Sequence, residues 1–576
     1  MAVFTRRGVV LAVVLALSVA AAPAAQSRTG TQVAVIVQAR SAEEAAAAVR
    51  AVGGTVTQDL WIVDGVGARV PSDAVDELAG RPGVRSVTPD GTVRVAGTTT
   101  TLGGEDESTV NHVLAREVDA DRLWSAGVTG AGVGVALIDT GVSPVGDLAG
   151  RVRPVRRDHL VGTSTRTDRD DAPCVDFSGE GHCGDSFGHG TFLAGLIAGS
   201  GAASGGKYAG VAPGAHLVSV KIAGHDGSAD VTKVIAAVQW VVSFRQAYGI
   251  RVLNLSLGTD STAPWHTDPL NYAVEQAWFS GITVVVSAGN RGRTDQAARR
   301  FAISKPADDP YVVTVGAVDD RETPSIDDDR LPAFSSTGPT AHGIPKPDVV
   351  APGGRVVSLR APGSWVEANH RPRPGENPVY RRGSGTSMSA AVVSGVAALV
   401  LQGRDWHPNR VKFALATTAR KVAARDPLAV GSGLVDAAAA RAAGDGNGNA
   451  AWTQVSSGTG SLEESRGTVE VTEPCSFDDT IAGDSQDGEC HTSGDETAYG
   501  TLWVPPAHTD PWLGSSWYTS QWAIASATGS SWYTSTWGDG SWEGSSWYGS
   551  SWYGNFESTT PYGATLQGSS WYGAWG

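Results

Sequence analysis

Five short runs of the chain, residues 133–138, 217–222, 251–257, 282–287 and 311–316, are apolar at nearly every position and rich in valine. A strand with one wet face alternates apolar and polar residues, so unbroken runs of this length predict parallel strands covered on both faces. Residues 230–248 and 268–280 lie between them and carry helical patterns. That alternation predicts right-handed crossovers and an α/β fold built on a doubly wound, mostly parallel sheet. A further apolar helix is expected from about 387 to 402, opening at Ser387. A body of about 320 residues is long enough for one large core.

The flanks follow other patterns. Arg6 and Arg7 precede an apolar run from Val9 to Ala22, and the small residues Ala22, Ala24 and Ala25 come next. This is the layout of a secretory signal peptide over residues 1–25. The run is about 14 residues, short of the roughly 20 a membrane-spanning helix needs, so a retained anchor is the weaker reading and no transmembrane anchor is expected. Residues 31–96 read strand, helix, strand, strand, helix, strand: Val33–Val37 alternates, Ser41 starts an alanine-rich helix, Pro71 starts a second helix through Leu78, and Val84–Val87 closes the unit. That order predicts a small ferredoxin-like α+β fold. Thr98–Gly104 is threonine- and glycine-rich and Glu105–Glu107 is acidic, which predicts a spacer.

From about residue 443 the composition changes. Residues 443–500, rich in glycine, serine and acids, read as a flexible linker. Residues 501–576 form a low-complexity Trp/Ser/Gly tail in which Ser-Ser-Trp recurs at Trp517, Trp532, Trp547, Trp552 and Trp571, with a period of five along much of its length. A period of five fits neither a helical stripe nor strand alternation. Flat aromatic rings suit stacking on polysaccharide such as cell wall. The competing readings are a weakly ordered tail, or an apron whose aromatics pack on the body or on another copy.

The net charge of -15 over 576 residues argues against nucleic acid and anionic membrane surfaces as partners. Four cysteines in a chain with a signal peptide predict two disulfides, and sequence separation favours the local pairs Cys174–Cys183 and Cys475–Cys490 among the three connectivities. His182 beside Cys183 and His491 beside Cys490 raise zinc as an alternative, but their spacings match no common zinc pattern. Acidic clusters at Asp168–Asp171 and Asp327–Asp329 have the ligand type for calcium, though a solvated acidic loop is the commoner explanation. No metal site is assigned.

Candidate chemistry lies in four motifs in chain order: Ile138-Asp139-Thr140-Gly141, Gly188-His189-Gly190-Thr191, Ala288-Gly289-Asn290 and Gly385-Thr386-Ser387-Met388-Ser389-Ala390. Each polar residue sits among small residues at the end of an apolar run, where a side chain can project into a cleft. A serine hydroxyl is a weak nucleophile and needs an imidazole to take its proton, a role open to Ser387 and His189. A carboxylate such as Asp139 fixes the ring's tautomer and stabilises the imidazolium. The Asn290 amide, together with the Ser387 backbone N–H at a helix start, can donate to the oxyanion of a tetrahedral intermediate. These four are the expected catalytic residues, and the chemistry requires no cofactor.

The order Asp, His, Ser and the wording of the motifs resemble the subtilase (subtilisin-like) family of serine endopeptidases. The resemblance covers roughly residues 119–440 and includes Leu253-Asn254-Leu255-Ser256-Leu257-Gly258, like the family's substrate-binding strand, Lys346-Pro347-Asp348-Val349-Val350-Ala351-Pro352-Gly353, and the closing Gly433-Leu434-Val435-Asp436-Ala437. One such match would be weak, but several in the right order leave little room for chance. The resemblance implies a subtilisin-like peptidase domain over 119–440. It also implies that residues 31–96 are an inhibitory propeptide that aids folding, lays its end through the cleft and is removed by self-cleavage somewhere from about 95 to 118. A permanent N-terminal domain is the alternative. Three features depart from the family pattern: Ala391 where a proline is usual, Thr259 where a second glycine is common beside the cleft, and a longer stretch between Asp139 and His189 that carries Cys174 and Cys183.

The expected function is therefore a secreted, self-processed serine endopeptidase acting on protein or peptide substrates. The alternative is a catalytically inactive subtilase scaffold that binds cell wall or polysaccharide through its tryptophan-rich tail. The intact catalytic set argues against that alternative. A broad scavenging protease and a narrow processing protease share this chemistry, and the sequence does not separate them.

Overall fold

The valine-rich runs become strands of a single large sheet, and the small N-terminal pattern becomes a separate four-stranded one. The computed structural model describes residues 31–90, 92–95, 98–100, 113–160, 171–259, 261, 263–296, 301–369, 377–424 and 426–458. The expected signal peptide, most of the acidic linker with Cys475 and Cys490, and the tryptophan repeat lie outside the described residues.

The N-terminal unit is built from β1 (Gln32–Gln38), β2 (Thr55–Leu60), β3 (Gly65–Pro71) and β4 (Ser86–Pro89), ordered β2-β3-β1-β4. Helices Ala42–Ala51 and Val75–Ala79 connect them. Ser41 caps the first helix, its side chain accepting from the Glu44 N–H at 3.3 Å, which satisfies one of the orphan donors of the first turn. Strand alternation divides the labour within β1. Val35 and Val37 join the unit's own small core, whereas Ile36 joins the core of the large domain.

Two short strands follow, β5 (Thr92–Val95) and β6 (Thr98–Thr100). The large domain adds β7 (Gly134–Asp139) and a two-stranded ladder of β8 (Val155–Arg156) with β9 (Asp171–Ala172). Its main sheet has seven strands in the order β10 (Val175–Asp176), β11 (His216–Lys221), β7, β13 (Ile250–Leu255), β15 (Thr283–Ser287), β16 (Val313–Val318) and β17 (Val349–Pro352). Every neighbouring pair in it is parallel. All residues of β7, β15, β16 and β17 are buried, as unbroken apolar runs in a covered sheet require.

The expected helices form at Val231–Phe244, Pro269–Phe279 and Thr386–Leu401. Asp268 and Pro269 set the start of the second: the Asp268 carboxylate accepts from the Leu270 and Asn271 N–H groups at 2.8 and 3.1 Å, and proline fills the first position. The helix Thr386–Leu401 packs across β13, β15, β16 and β17 and is buried along its whole length. Ala391 is its sixth residue, so the usual proline would fall in the second turn, not the first. No helix among the described residues is long and apolar enough to cross a membrane.

Two smaller sheets join the N-terminal segment to the large domain. One is β12 (Ser228–Asp230), β5 and β14 (Leu257–Gly258), with β5 in the middle; the other is β18 (Val356–Leu359), β19 (Tyr380–Ser384) and β6. All their pairings are antiparallel.

Candidate active site

Asp139 is the last residue of β7 and is almost fully buried. Its carboxylate lies 2.8 and 2.9 Å from His189 Nδ1 and accepts from the Thr140 N–H at 2.8 Å. A carboxylate can only accept, so Nδ1 is the donor here, and in the neutral ring Nε2 is the acceptor. His189 is the first residue of the helix His189–Ala198, entered through Gly188 at φ 115, a backbone region open to glycine. The close approach of helix and turn needs a second glycine. A Cβ at Gly190 would meet the Gly141 carbonyl oxygen at 2.1 Å and Asp139 Oδ1 at 3.2 Å.

One residue outside the sequence motifs, Asp185, holds this pair in place together with Thr140 of the first motif. Asp185 Oδ1 accepts from the Gly188 N–H at 2.6 Å and the Thr140 hydroxyl at 2.7 Å, and Oδ2 accepts from the Thr191 N–H at 2.7 Å. Thr140 Oγ1 in turn accepts from the Gly190 N–H at 2.9 Å. The Asp139 turn and the His189 helix are thus tied to one buried carboxylate. Burial pushes the Asp185 carboxyl up, while the bonds from Thr191, Thr140 and Gly188 hold it down; burial wins. The local signal was an aspartate just before a helix start, which reads like any loop acid until the fold brings Thr140 to it.

The longer stretch between Asp139 and His189 contains the expected Cys174–Cys183 disulfide, S–S 2.02 Å. It packs under the Asp139 turn: the Val142 N–H donates to the Cys183 carbonyl at 3.3 Å, and the buried Lys221 ammonium donates to the Ser186 hydroxyl at 2.8 Å and pairs with Glu180 at 2.7 Å. Among the described residues no group of three or more His, Cys, Asp or Glu side chains is arranged to hold a metal ion.

Ser387 is the second residue of the helix Thr386–Leu401 and is fully buried. Its hydroxyl donates to the Ser256 carbonyl at 3.3 Å, and the Ser256 hydroxyl donates back to the Ser387 carbonyl at 3.1 Å. Asn254, two residues earlier on β13, donates to Ser256 Oγ at 2.9 Å and accepts from Ser394 Oγ at 2.9 Å, binding strand to helix. Behind the nucleophile loop lies the end of the Lys346–Gly353 motif. The Gly385 N–H donates to the Gly353 carbonyl at 2.8 Å, and a Cβ at Gly353 would meet Ser389 Oγ at 2.1 Å. The same motif's charges are buried and paired: Asp348 lies 2.7 Å from Lys346 and 3.1 Å from Lys412. Burial alone would raise the Asp348 carboxyl, but the two ammonium groups and the Thr314 N–H hold it below the usual range.

Asn290 follows β15 and is fully buried. Its Oδ1 accepts from the Thr386 N–H at 2.9 Å and the Thr386 hydroxyl at 3.0 Å. That fixes the amide's orientation and leaves Nδ2 with no hydrogen-bond partner among the described residues. A buried amide donor without an acceptor carries a desolvation cost of about 1–3 kcal/mol, which an incoming anionic oxygen would remove. The sheet therefore presents, at the carboxyl ends of β7 and β15 and at one helix start, an acid–imidazole pair, a hydroxyl and an unused amide donor.

The cleft between β12 and β14 is occupied by the chain itself. β5 pairs with both: Arg94 opposite Ser228 and Gly258, Val95 opposite Leu257. On the far side β6 pairs with β19, Thr98 opposite Ser384.

Comparison with known proteins agrees with this geometry. Residues 130–447 match the subtilase family, and residues 16–90 match a peptidase inhibitor domain. The chain is 39% identical over 317 residues to serine protease AprX of Bacillus subtilis, covering 54% of this chain and 66% of that protein. It is 31% identical over 337 residues to subtilisin-like protease 1 of Trichophyton rubrum, covering 57% of this chain and 53% of that protein. It is 33% identical over 324 residues to subtilisin Savinase of Lederbergia lenta, covering 56% and 96%. The matched stretch thus spans less than two thirds of the first two relatives and nearly all of the third. In fold the chain is similar to fervidolysin from Fervidobacterium pennivorans, a keratinolytic enzyme related to subtilisin, with a TM-score of 0.53, 24% identity and coverage of 73% of this chain and 62% of that one.

Proposed function

The chain belongs to the subtilase family, and we propose that it is a secreted serine endopeptidase made as a self-processed zymogen, acting on protein or peptide substrates. In this reading Ser387 Oγ attacks a peptide carbonyl while His189 Nε2 takes its proton. Asp139 holds the ring and stabilises the imidazolium. Asn290 Nδ2 and the Ser387 backbone N–H donate to the oxyanion, the second helped by its place in the first turn of a 16-residue helix. His189 then protonates the departing amine, and water, activated by the same imidazole, hydrolyses the acyl-enzyme. The observation that carries the reading is the buried Asn290 amide, oriented by Thr386 and left without an acceptor beside the Ser387 helix.

The same geometry supports a narrow maturation segment. β14 pairs Gly258 with Arg94 and Leu257 with Val95. The residue before Leu257 is Ser256, whose carbonyl accepts the Ser387 hydroxyl at 3.3 Å. On the other side, position 98 pairs with Ser384, three residues before the nucleophile. Val95 and Thr98 thus stand on the two sides of the nucleophile, so the cut is expected between them, at the start of the window of about 95 to 118. Intact-mass analysis tests both claims together. Wild-type chain should yield a product whose first residue lies between positions 96 and 98, and Ser387→Ala should stay uncut there. A pure Ser387→Ala chain cut in that segment would overturn the self-processing reading.

A further inference from the structure

The chain after the last helix does not leave the body at once. Residues 449–458 run back across the large domain and end under the N-terminal unit. Asn449 Nδ2 donates to the Tyr311 carbonyl at 3.1 Å, and the Tyr311 hydroxyl donates to the Gln454 carbonyl at 3.0 Å. The Ser456 N–H donates to the buried Glu275 carboxylate at 2.7 Å, its hydroxyl to the Asp268 carbonyl at 2.9 Å, and the Ser457 N–H to the His266 carbonyl at 2.7 Å. Trp452 meets Trp265 edge to face, with ring centroids 6.0 Å apart. These backbone and side-chain bonds hold the stretch to a defined path over the large domain.

At its end the segment meets Gln38, the last residue of β1 in the N-terminal unit and 1% exposed. Gln38 Nε2 donates to the Gly458 carbonyl at 2.6 Å and to the Val63 carbonyl at 3.2 Å, while its Oε1 accepts from the Ser86 hydroxyl at 2.8 Å. Gly458 has φ 62, and a Cβ there would touch the Tyr272 ring at 3.0 Å. Tyr272 also faces the N-terminal unit. Burial pushes its hydroxyl up, and the charge of Asp64, which pairs with Arg85 at 2.9 Å, adds to the push. The junction therefore joins three parts of the chain: β1 and its neighbours, the helix Pro269–Phe279, and the start of the C-terminal extension.

We propose that residues 449–458 are part of the surface that holds the propeptide, with the Gly458 carbonyl clasping Gln38, so that the C-terminal extension slows departure of the propeptide after cleavage. The proposal rests on the reading of residues 31–96 as a propeptide. The clasp joins residues 420 apart in sequence, and after the cut no covalent bond links its two sides.

The test uses the full chain carrying Gln38→Leu, Gly458→Val or both. Gln38→Leu removes the donor. Gly458→Val strains a positive φ, presses on Tyr272 and moves the acceptor while touching nothing in the propeptide's own core. Each single variant should release cleaved propeptide about tenfold faster than wild type, as the loss of one buried hydrogen bond implies, measured as the fraction that still co-elutes over time. The double variant should be no faster than either single one, because both remove the same bond. Ser86→Ala is the control for the propeptide's own fold: it takes away a Gln38 bond but leaves the clasp. Wild-type release from Gly458→Val, or effects that multiply in the double variant, would overturn the proposal. Hydrogen exchange on the uncut Ser387→Ala chain gives a second reading that does not depend on processing. There Gly458→Val should speed exchange of the Ile62 N–H, which donates to Gln239 across the interface at 3.0 Å, and Gln38→Leu should speed that of Ser457. Absence of both effects would also overturn the clasp, whatever becomes of the maturation bond.

Discussion

Replacing Gly190 by alanine should disable the active site without touching a reacting atom. The added Cβ would lie 2.1 Å from the Gly141 carbonyl oxygen, whereas real Cβ atoms essentially never come under 3.0 Å. The helix start or the turn must therefore give way by about 1 Å, because the nearest obstacle, the Gly141 carbonyl, is backbone and cannot rotate aside. Alanine would otherwise favour the helix by about 1 kcal/mol over glycine, but overpacking of this kind costs about 1–3 kcal/mol, so the clash wins. His189 Nδ1 and Asp139 Oδ1 now stand 2.8 Å apart, and a displacement of that size takes them beyond hydrogen-bond range. A misplacement of about 1 Å in a catalytic group costs on the order of 10²-fold in rate. The assay is kcat and KM on a short peptide substrate, with active sites counted by titration, and the rate of self-processing where no mature form accumulates. A kcat within about threefold of wild type in a folded variant would refute the argument that the Gly190–Gly141 contact sets the acid–imidazole geometry.

Asn290→Ala should lower kcat by about 10²–10³-fold with KM near normal, a magnitude carried over from the same donor in subtilisin itself, a member of this family; a change in KM alone would remove Asn290 from the oxyanion role. Thermal stability should fall as pH rises from about 4.5 to about 8. Burial and then Asp329 push the buried Glu117 up to about 8, while burial and then neighbouring carboxylates push Asp329 to about 7 and Asp320 to about 6. Raised carboxyls hold protons in the folded chain that the unfolded chain has lost, so their stabilisation is complete below the unfolded values and is lost through the folded ones. Glu117→Gln should flatten the fall in melting temperature over that window, and an unchanged profile would remove Glu117 as its source. Deleting residues 501–576 should lower retention on insoluble cell wall if the tryptophan repeat is a stacking surface; unchanged retention leaves it a low-complexity tail.

The parts of the fold that were legible in the sequence are those that local pattern controls. The runs at 133–138, 217–222 and 282–287 sit within a residue or so of β7, β11 and β15, because a strand buried on both faces must be apolar throughout. The last strand, β17, lies inside a motif framed by Pro347 and Pro352, and proline hid it as a strand. The four catalytic candidates were legible because each motif surrounds a polar residue with glycines that the close packing needs. Asp185 was not, since its partners Thr140 and Gly188 come from two elements that only the fold joins. The pairing of β5 and β6 across the cleft and the contact of Gln38 with Gly458 were equally hidden, because long-range register leaves no mark on local periodicity.

The central claim, that this chain is a serine peptidase whose nucleophile is Ser387 and whose base is His189, meets its most direct test in labelling with a fluorophosphonate serine-hydrolase probe. Wild-type protein should be labelled on a band shortened by loss of the residues before the maturation cut, and Ser387→Ala and His189→Ala should both lose the label. Label retained by Ser387→Ala, or a folded wild-type chain that takes no label, would contradict it.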